Sequence, residues 1–155
     1  IPTKHRQSKD KTGGLFVVEY TEGRQAKHLV ATLKELLSSY DAEDIRVLSP
    51  FGAQSSLVGK IFQSDPKSPD DRWLAANMRH ASSSGKIRWR SIAKFKGLES
   101  EVVVITDVGN EAAEFFASRG QSAQDWLYVG ISRARHRCVI LSDGEIQSLF
   151  RDTLS

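Results

Sequence analysis

Apolar residues recur at helical spacing through residues 123–134. Ala123, Trp126, Leu127, Gly130, Ile131 and Ala134 fall at i, i+3, i+4, i+7, i+8 and i+11, which at about 100° per residue makes one apolar face. Arg133 projects roughly 90° from the centre of that face, and Tyr128 and Arg135 stand on the opposite edge. A second helical pattern covers 24–40, where Leu29, Leu33, Leu36, Leu37 and Tyr40 share a face. A third, over 54–62, carries Leu57, Val58, Ile61 and Phe62.

Between these helices lie runs at 15–20, 45–48, 87–92, 101–106 and 138–141, each read as a strand and most of them largely aliphatic. Residues 109–124 read as a loop or short helix, and 145–150 as a last short helix. Strands that are largely apolar, alternating with helices, predict an α/β fold: a mainly parallel sheet with helices on both faces, in three layers. Ligands in such folds sit beyond the C-terminal ends of the strands. The loops at Ser49–Gln54, Ser91–Glu99 and Asp107–Asn110 are therefore expected on one edge. Residues 1–14 read as a polar, basic linker ending in Gly13-Gly14, and 15–155 as one domain. Within it 63–85, rich in Pro, Ser and Asp, reads as a short insertion or loop region with a helical segment near 73–78.

Composition changes this picture little. With 22 Lys+Arg against 19 Asp+Glu in 155 residues, the charge suits a nucleic-acid partner and many other proteins equally. The single Cys138 lies in an apolar run, which predicts an inert buried thiol, no disulfide framework and a cytoplasmic setting. No run approaches the ~18 apolar residues of a membrane span. The four histidines show no ligand spacing, so no metal site is predicted. Beginning at Ile1 rather than Met, the chain reads as a piece of a longer one.

Two stretches carry a resemblance. Lys96-Gly97-Leu98-Glu99, running into a strand, resembles motif V of superfamily 1 helicases of the UvrD/Rep/PcrA kind. Leu127-Tyr128-Val129-Gly130-Ile131-Ser132-Arg133-Ala134-Arg135, about 30 residues on, resembles their motif VI. The resemblance implies the second, C-terminal RecA-like domain of a DNA helicase or translocase, with a P-loop NTPase-like sheet. It makes Arg133 the catalytic arginine finger aimed at the γ-phosphate. It places Gly97, Glu99, Arg133 and Tyr128 at ATP, Glu99 holding the ribose; for Tyr128 the alternatives are a partner-domain contact and plain packing. Arg133 and Arg135 would lie roughly 160° apart around one helix, so only one of them could serve a single ligand. Gly130 would let the helix approach the sheet closely.

The same resemblance puts Ser91, Phe51 and Gln54 on single-stranded DNA, with RNA left open. Ser91 stands where the family commonly has a Thr, and Ala93 where many members have a His, which removes one polar contact. Phe51 either stacks a base or packs in the core, and Trp73, Trp89 and Trp126 read as core. No G-x-x-x-x-G-K-[ST] is present. ATP with Mg²⁺ would thus be held mainly by an N-terminal RecA-like domain of the same parent chain, and this piece alone would not hydrolyse ATP. The competing reading is a non-catalytic module that binds nucleic acid or protein.

Overall fold

The computed structural model describes residues 14–21, 23–52, 54–80, 85–92 and 99–143. Six strands form one all-parallel sheet: β1 (Gly14–Tyr20), β2 (Ile45–Ser49), β3 (Met78–His80), β4 (Ile87–Ser91), β5 (Ser100–Val108) and β6 (Ala134–Asp143), in the order β1-β6-β5-β2-β4-β3. The helices are α1 (Gln25–Leu37), α2 (Leu57–Gln63), α3 (Pro69–Asn77), α4 (Asn110–Ala117) and α5 (Ala123–Ser132).

The pleat sorts each strand between two cores. Ile45, Val47, Trp89, Val102, Val104 and Val139 face α1, α2 and α3, meeting Leu29, Leu33, Val58, Ile61 and Leu74. Leu48, Val103, Ile105, Cys138 and Ile140 face the other way, towards Ala112 of α4 and Trp126 and Leu127 of α5. β5 lies between the two layers, with residues 102–105 fully buried, which is why it reads as a continuous aliphatic run. The expected three-layer α/β arrangement is present.

Local chemistry sets the helix starts. Ser56 and Ser68 cap α2 and α3 by accepting from Gly59 N–H and Asp71 N–H, each at 3.0 Å. Ser122 and Asp125 form a reciprocal capping box at the start of α5. On α5, Trp126, Leu127 and Gly130 are buried as the periodicity predicts. A Cβ added to Gly130 would stand 2.7 Å from Ile105 Cδ1, so this glycine sets the helix-to-sheet distance.

Several boundaries differ from the sequence reading. Residues 63–85, expected as an insertion or loop region, supply α3 and the edge strand β3. A three-residue strand has no period to detect, and it is stabilised by pairing with β4. Residues 109–124, read as a loop or short helix, do contain a short helix, the eight-residue α4. α5 stops at Ser132, and β6 starts at Ala134 rather than Cys138, because Ala134 and Arg137 pair with β5 despite the polar run there. Arg135 is therefore a strand residue, and the angular argument separating it from Arg133 around a helix does not apply. The lead-in at 1–13, Ala93, Lys96, Gly97 and the helix expected at 145–150 lie outside the described residues.

Candidate functional site

The parallel sheet has two ends, and the candidate residues divide between them. Ser49, Ser91 and Val108 close β2, β4 and β5 at the C-terminal edge, with Ser49 and Ser91 in register. Phe51 and Gln54 follow in the loop after β2, so Ser91, Phe51 and Gln54 share this edge, as expected. Gln54 is exposed. Phe51 is half-buried and meets the Phe115 ring edge-on at 5.6 Å, which places it at the margin of the α4/α5 core.

Glu99 is not on that edge. It immediately precedes Ser100, the first residue of β5, and Ser100 is in register with Ala134, the first residue of β6. The segment after β4 thus ends at the N-terminal edge of the sheet, where Arg133 also sits. The expectation that Ser91–Glu99 would cluster on one edge is corrected: the segment begins at one edge and ends at the other.

At the N-terminal edge, Arg133 is the C-terminal cap residue of α5. Its carbonyl accepts from Ser100 N–H at 2.9 Å, which ties the helix end to the start of β5. Its side chain is half-buried, and its buried Nε has no hydrogen-bond partner among the described residues. A buried donor left unsatisfied is costly unless a ligand completes it. Glu99 pairs with Arg135 instead, at 3.5 Å, with both side chains more than half exposed. A carboxylate so placed keeps acceptor capacity for a hydroxyl. Tyr128 is 68% exposed on the outer side of α5, so plain packing is not its role.

The C-terminal edge holds a residue that the sequence reading passed over. Asp107 has φ +63° in the left-handed region, the one such non-glycine residue among those described. Its carboxylate accepts from Ser49 Oγ at 2.6 Å, Gln25 Nε2 at 2.8 Å and Leu57 N–H at 3.3 Å. Gln25 also donates to Thr106 Oγ1 at 2.6 Å, so the first side chain of α1 is spent on β5. Burial raises the Asp107 pKa, opposed by the bonds from Ser49, Gln25 and Leu57 and by the Lys60 charge. Burial, then the charges of Asp107 and Asp143, push the Tyr20 hydroxyl upward as well.

Tyr20, Gln25, Asp107 and Asp143 line an open cleft of about 210 Å³ between the ends of β1, β5 and β6, together with Phe51 and Lys60. A Cβ added at Gly109 would meet the Asp143 carboxylate, which would have to shift to admit it. The sequence signal for this cluster was the polar pair Thr106-Asp107 closing an otherwise aliphatic strand. Its partners lie 50 to 82 residues away and could not be read from spacing. Among the described residues no group of His, Cys, Asp and Glu could hold a metal ion, and no helix is long and apolar enough to cross a membrane.

With this geometry in view, the comparisons are specific about family. A family model described as an AAA domain matches residues 1–145. The chain belongs to this AAA-domain family. Its fold is similar to the C-terminal domain of a possible DNA helicase from Lactobacillus plantarum WCFS1, with a TM-score of 0.57 and 16% identity over 86% of this chain and 75% of that one. No curated protein matches the sequence. The likeness is one of fold: the six-stranded parallel sheet with helices on both faces is a RecA-like α/β arrangement.

Proposed function

We propose that this AAA-domain chain is the C-terminal motor domain of a superfamily 1 DNA helicase or translocase. It completes an ATP site and a single-stranded nucleic-acid track with a first RecA-like domain of its parent. The observation that carries this reading is the unpartnered, buried Nε of Arg133 at the N-terminal edge, beside the strand start that presents Glu99. A guanidinium held with a free donor suits a developing phosphate charge, and Glu99 suits a ribose hydroxyl. Gly97, Glu99 and Tyr128 complete the nucleotide side of the proposal. Ser91, Phe51 and Gln54, on the opposite edge, form the nucleic-acid side.

Mg²⁺-ATP would supply the phosphoryl group, held mainly by the first domain. This chain's part is to place Arg133 at the γ-phosphate and Glu99 at the ribose when the domains close. The test is ATP hydrolysis by the parent protein, with and without single-stranded DNA. DNA should stimulate turnover, Arg133→Ala should lower it by about 10³-fold or more, and Arg135→Ala should largely spare it. Equal hydrolysis by all three proteins would remove Arg133 from the role. A parent that never hydrolyses ATP would leave the non-catalytic binding module as the reading.

A further inference from the structure

The α4/α5 side of the sheet is covered unevenly. Both helices pack against β5, and α5 also against β6. On the same side of the β2–β4–β3 half, among the described residues, arginines stand beside the buried Leu48. Arg46 of β2 and Arg88 of β4 are direct register partners, and Arg88 is in turn opposite Arg79 of β3. Arg90 lies two residues along β4 from Arg88, on the same face about 6.6 Å further up the strand. Four guanidinium groups thus lie on three adjacent strands of a chain whose whole formal charge is only +3.

These arginines are held against their own repulsion. Arg46 and Arg88 are each half-buried, and the Arg88 charge, after burial, lowers the pKa of Arg46. The acids facing Arg46 are Asp44 and Glu43 at the foot of β2. Arg46 spends one nitrogen on the Glu43 carbonyl at 2.8 Å, and Arg79 turns back to the carbonyls of Ala75 and Met78. Arg88 Nε is buried with no hydrogen-bond partner among the described residues. Keeping two like charges side by side with donors unspent stabilises nothing in the domain itself; it is the arrangement an anionic partner completes.

We propose that the Arg46–Arg88 face binds the phosphate backbone of duplex nucleic acid, as a surface separate from the C-terminal edge. The positive groups spread over two strand spacings, about 9.6 Å, wider than one phosphate and suited to a chain of them. Single strands are gripped by aromatic platforms between cations. On β2 and β4 this face presents arginine and aliphatic side chains, while Trp89 points to the opposite side and stacks on Phe62. A duplex, whose bases are already stacked, needs only the cations.

The test is fluorescence anisotropy of this 155-residue chain with a labelled duplex and a labelled single strand over a salt series. Each phosphate contact adds about 0.9 to the slope of log affinity against log salt. Arg46→Gln with Arg88→Gln should lower the duplex slope by about 1.8. From about 50 to 200 mM salt, the wild type should then lose about tenfold more duplex affinity than the double variant. Arg46→Lys with Arg88→Lys should keep most of the slope, and Arg119→Gln, a surface arginine elsewhere, should keep all of it. Thermal unfolding checks that each variant is folded. If the Gln pair does not fold, arginine-specific phenylglyoxal labelling of the wild type replaces it, with bound duplex protecting Arg46 and Arg88 but not Arg119.

An unchanged duplex slope, absent protection, or no duplex binding by the folded wild type at low salt overturns the proposal. Loss of single-strand binding alone also overturns it, since that assigns the arginines to the single-strand track. None of these readouts uses ATP hydrolysis, so this inference and the motor-domain reading fail separately.

Discussion

Glu99 forms its ion pair with Arg135, at 3.5 Å across the foot of β5 and β6, and leaves the Nε of Arg133 without a partner among the described residues. The two neighbouring arginines therefore do different things: one is engaged by a carboxylate, the other is half-buried with a donor to spare. Both members of the ion pair are more than half exposed, so it contributes little to stability. Arg135→Ala should change the unfolding free energy by less than about 1 kcal/mol in urea titration. A larger loss would mean that the pair braces the strand starts.

Gly130 and Ile105 set a second relation. A methyl group at Gly130 meets Ile105 Cδ1 at 2.7 Å and Ile92 Cδ1 at 3.5 Å, both buried. Alanine gains about 1 kcal/mol of helix propensity but overpacks the contact by about 1–3 kcal/mol. Gly130→Ala should therefore be mildly destabilising and Gly130→Val clearly so, lowering Tm by several degrees. Adding Ile105→Val to Gly130→Ala should recover stability. Calorimetry showing additive losses in the double variant would contradict the contact.

Asp107 combines a strained backbone with acceptor duty for Ser49, Gln25 and Leu57. Asp107→Ala removes the acceptor and leaves an alanine at φ +63°, an expected loss of about 2–4 kcal/mol. Asp107→Gly relieves the backbone but not the lost bonds and should be less destabilised by about 1 kcal/mol. Denaturant titrations of both variants measure the two contributions. Equal losses would mean that backbone strain plays no part.

Cys138 gives a pH dependence. Burial pushes its thiol from 9.0 up to about 12, so the folded chain keeps a proton that the unfolded chain releases. A raised folded pKa makes its stabilisation complete below pH 9 and lost as pH rises through about 12. Within that window the unfolding free energy should fall by up to about 1.4 kcal/mol per pH unit from this group. Tyr20, also raised by burial, adds in the same direction at higher pH. Cys138→Ala should flatten the slope from pH 9 upward, and an unchanged slope would assign the loss to other groups.

The parallel sheet, the two-sided burial of β5 and the packed face of α5 were legible because they are periodic or continuous in sequence. β3 was not, since three residues stabilised by pairing with β4 leave no pattern of their own. The start of β6 was hidden by Arg135-His136-Arg137, a polar run that the ladder with β5 nonetheless includes. There the Tyr40 hydroxyl lies 2.6 Å from His136 Nδ1. For the candidate site, position along the chain did not give the edge: Ser91 and Glu99 are eight residues apart and stand at opposite ends of the sheet. Asp107 escaped because its meaning comes from three partners on three other elements.

β5 has nine residues, about 26 Å from Ser100 to Val108, and is packed on both sides through its middle. Glu99 is attached to one end of it and Asp107 is seated at the other. A close-packed strand of this kind behaves as a strut: it does not shorten, and neither helix layer leaves room for it to bow. A push on the foot of the sheet is therefore carried along this strand to the far rim rather than taken up within it. Among the described residues, one packed strand therefore joins the two edges that carry the candidate groups.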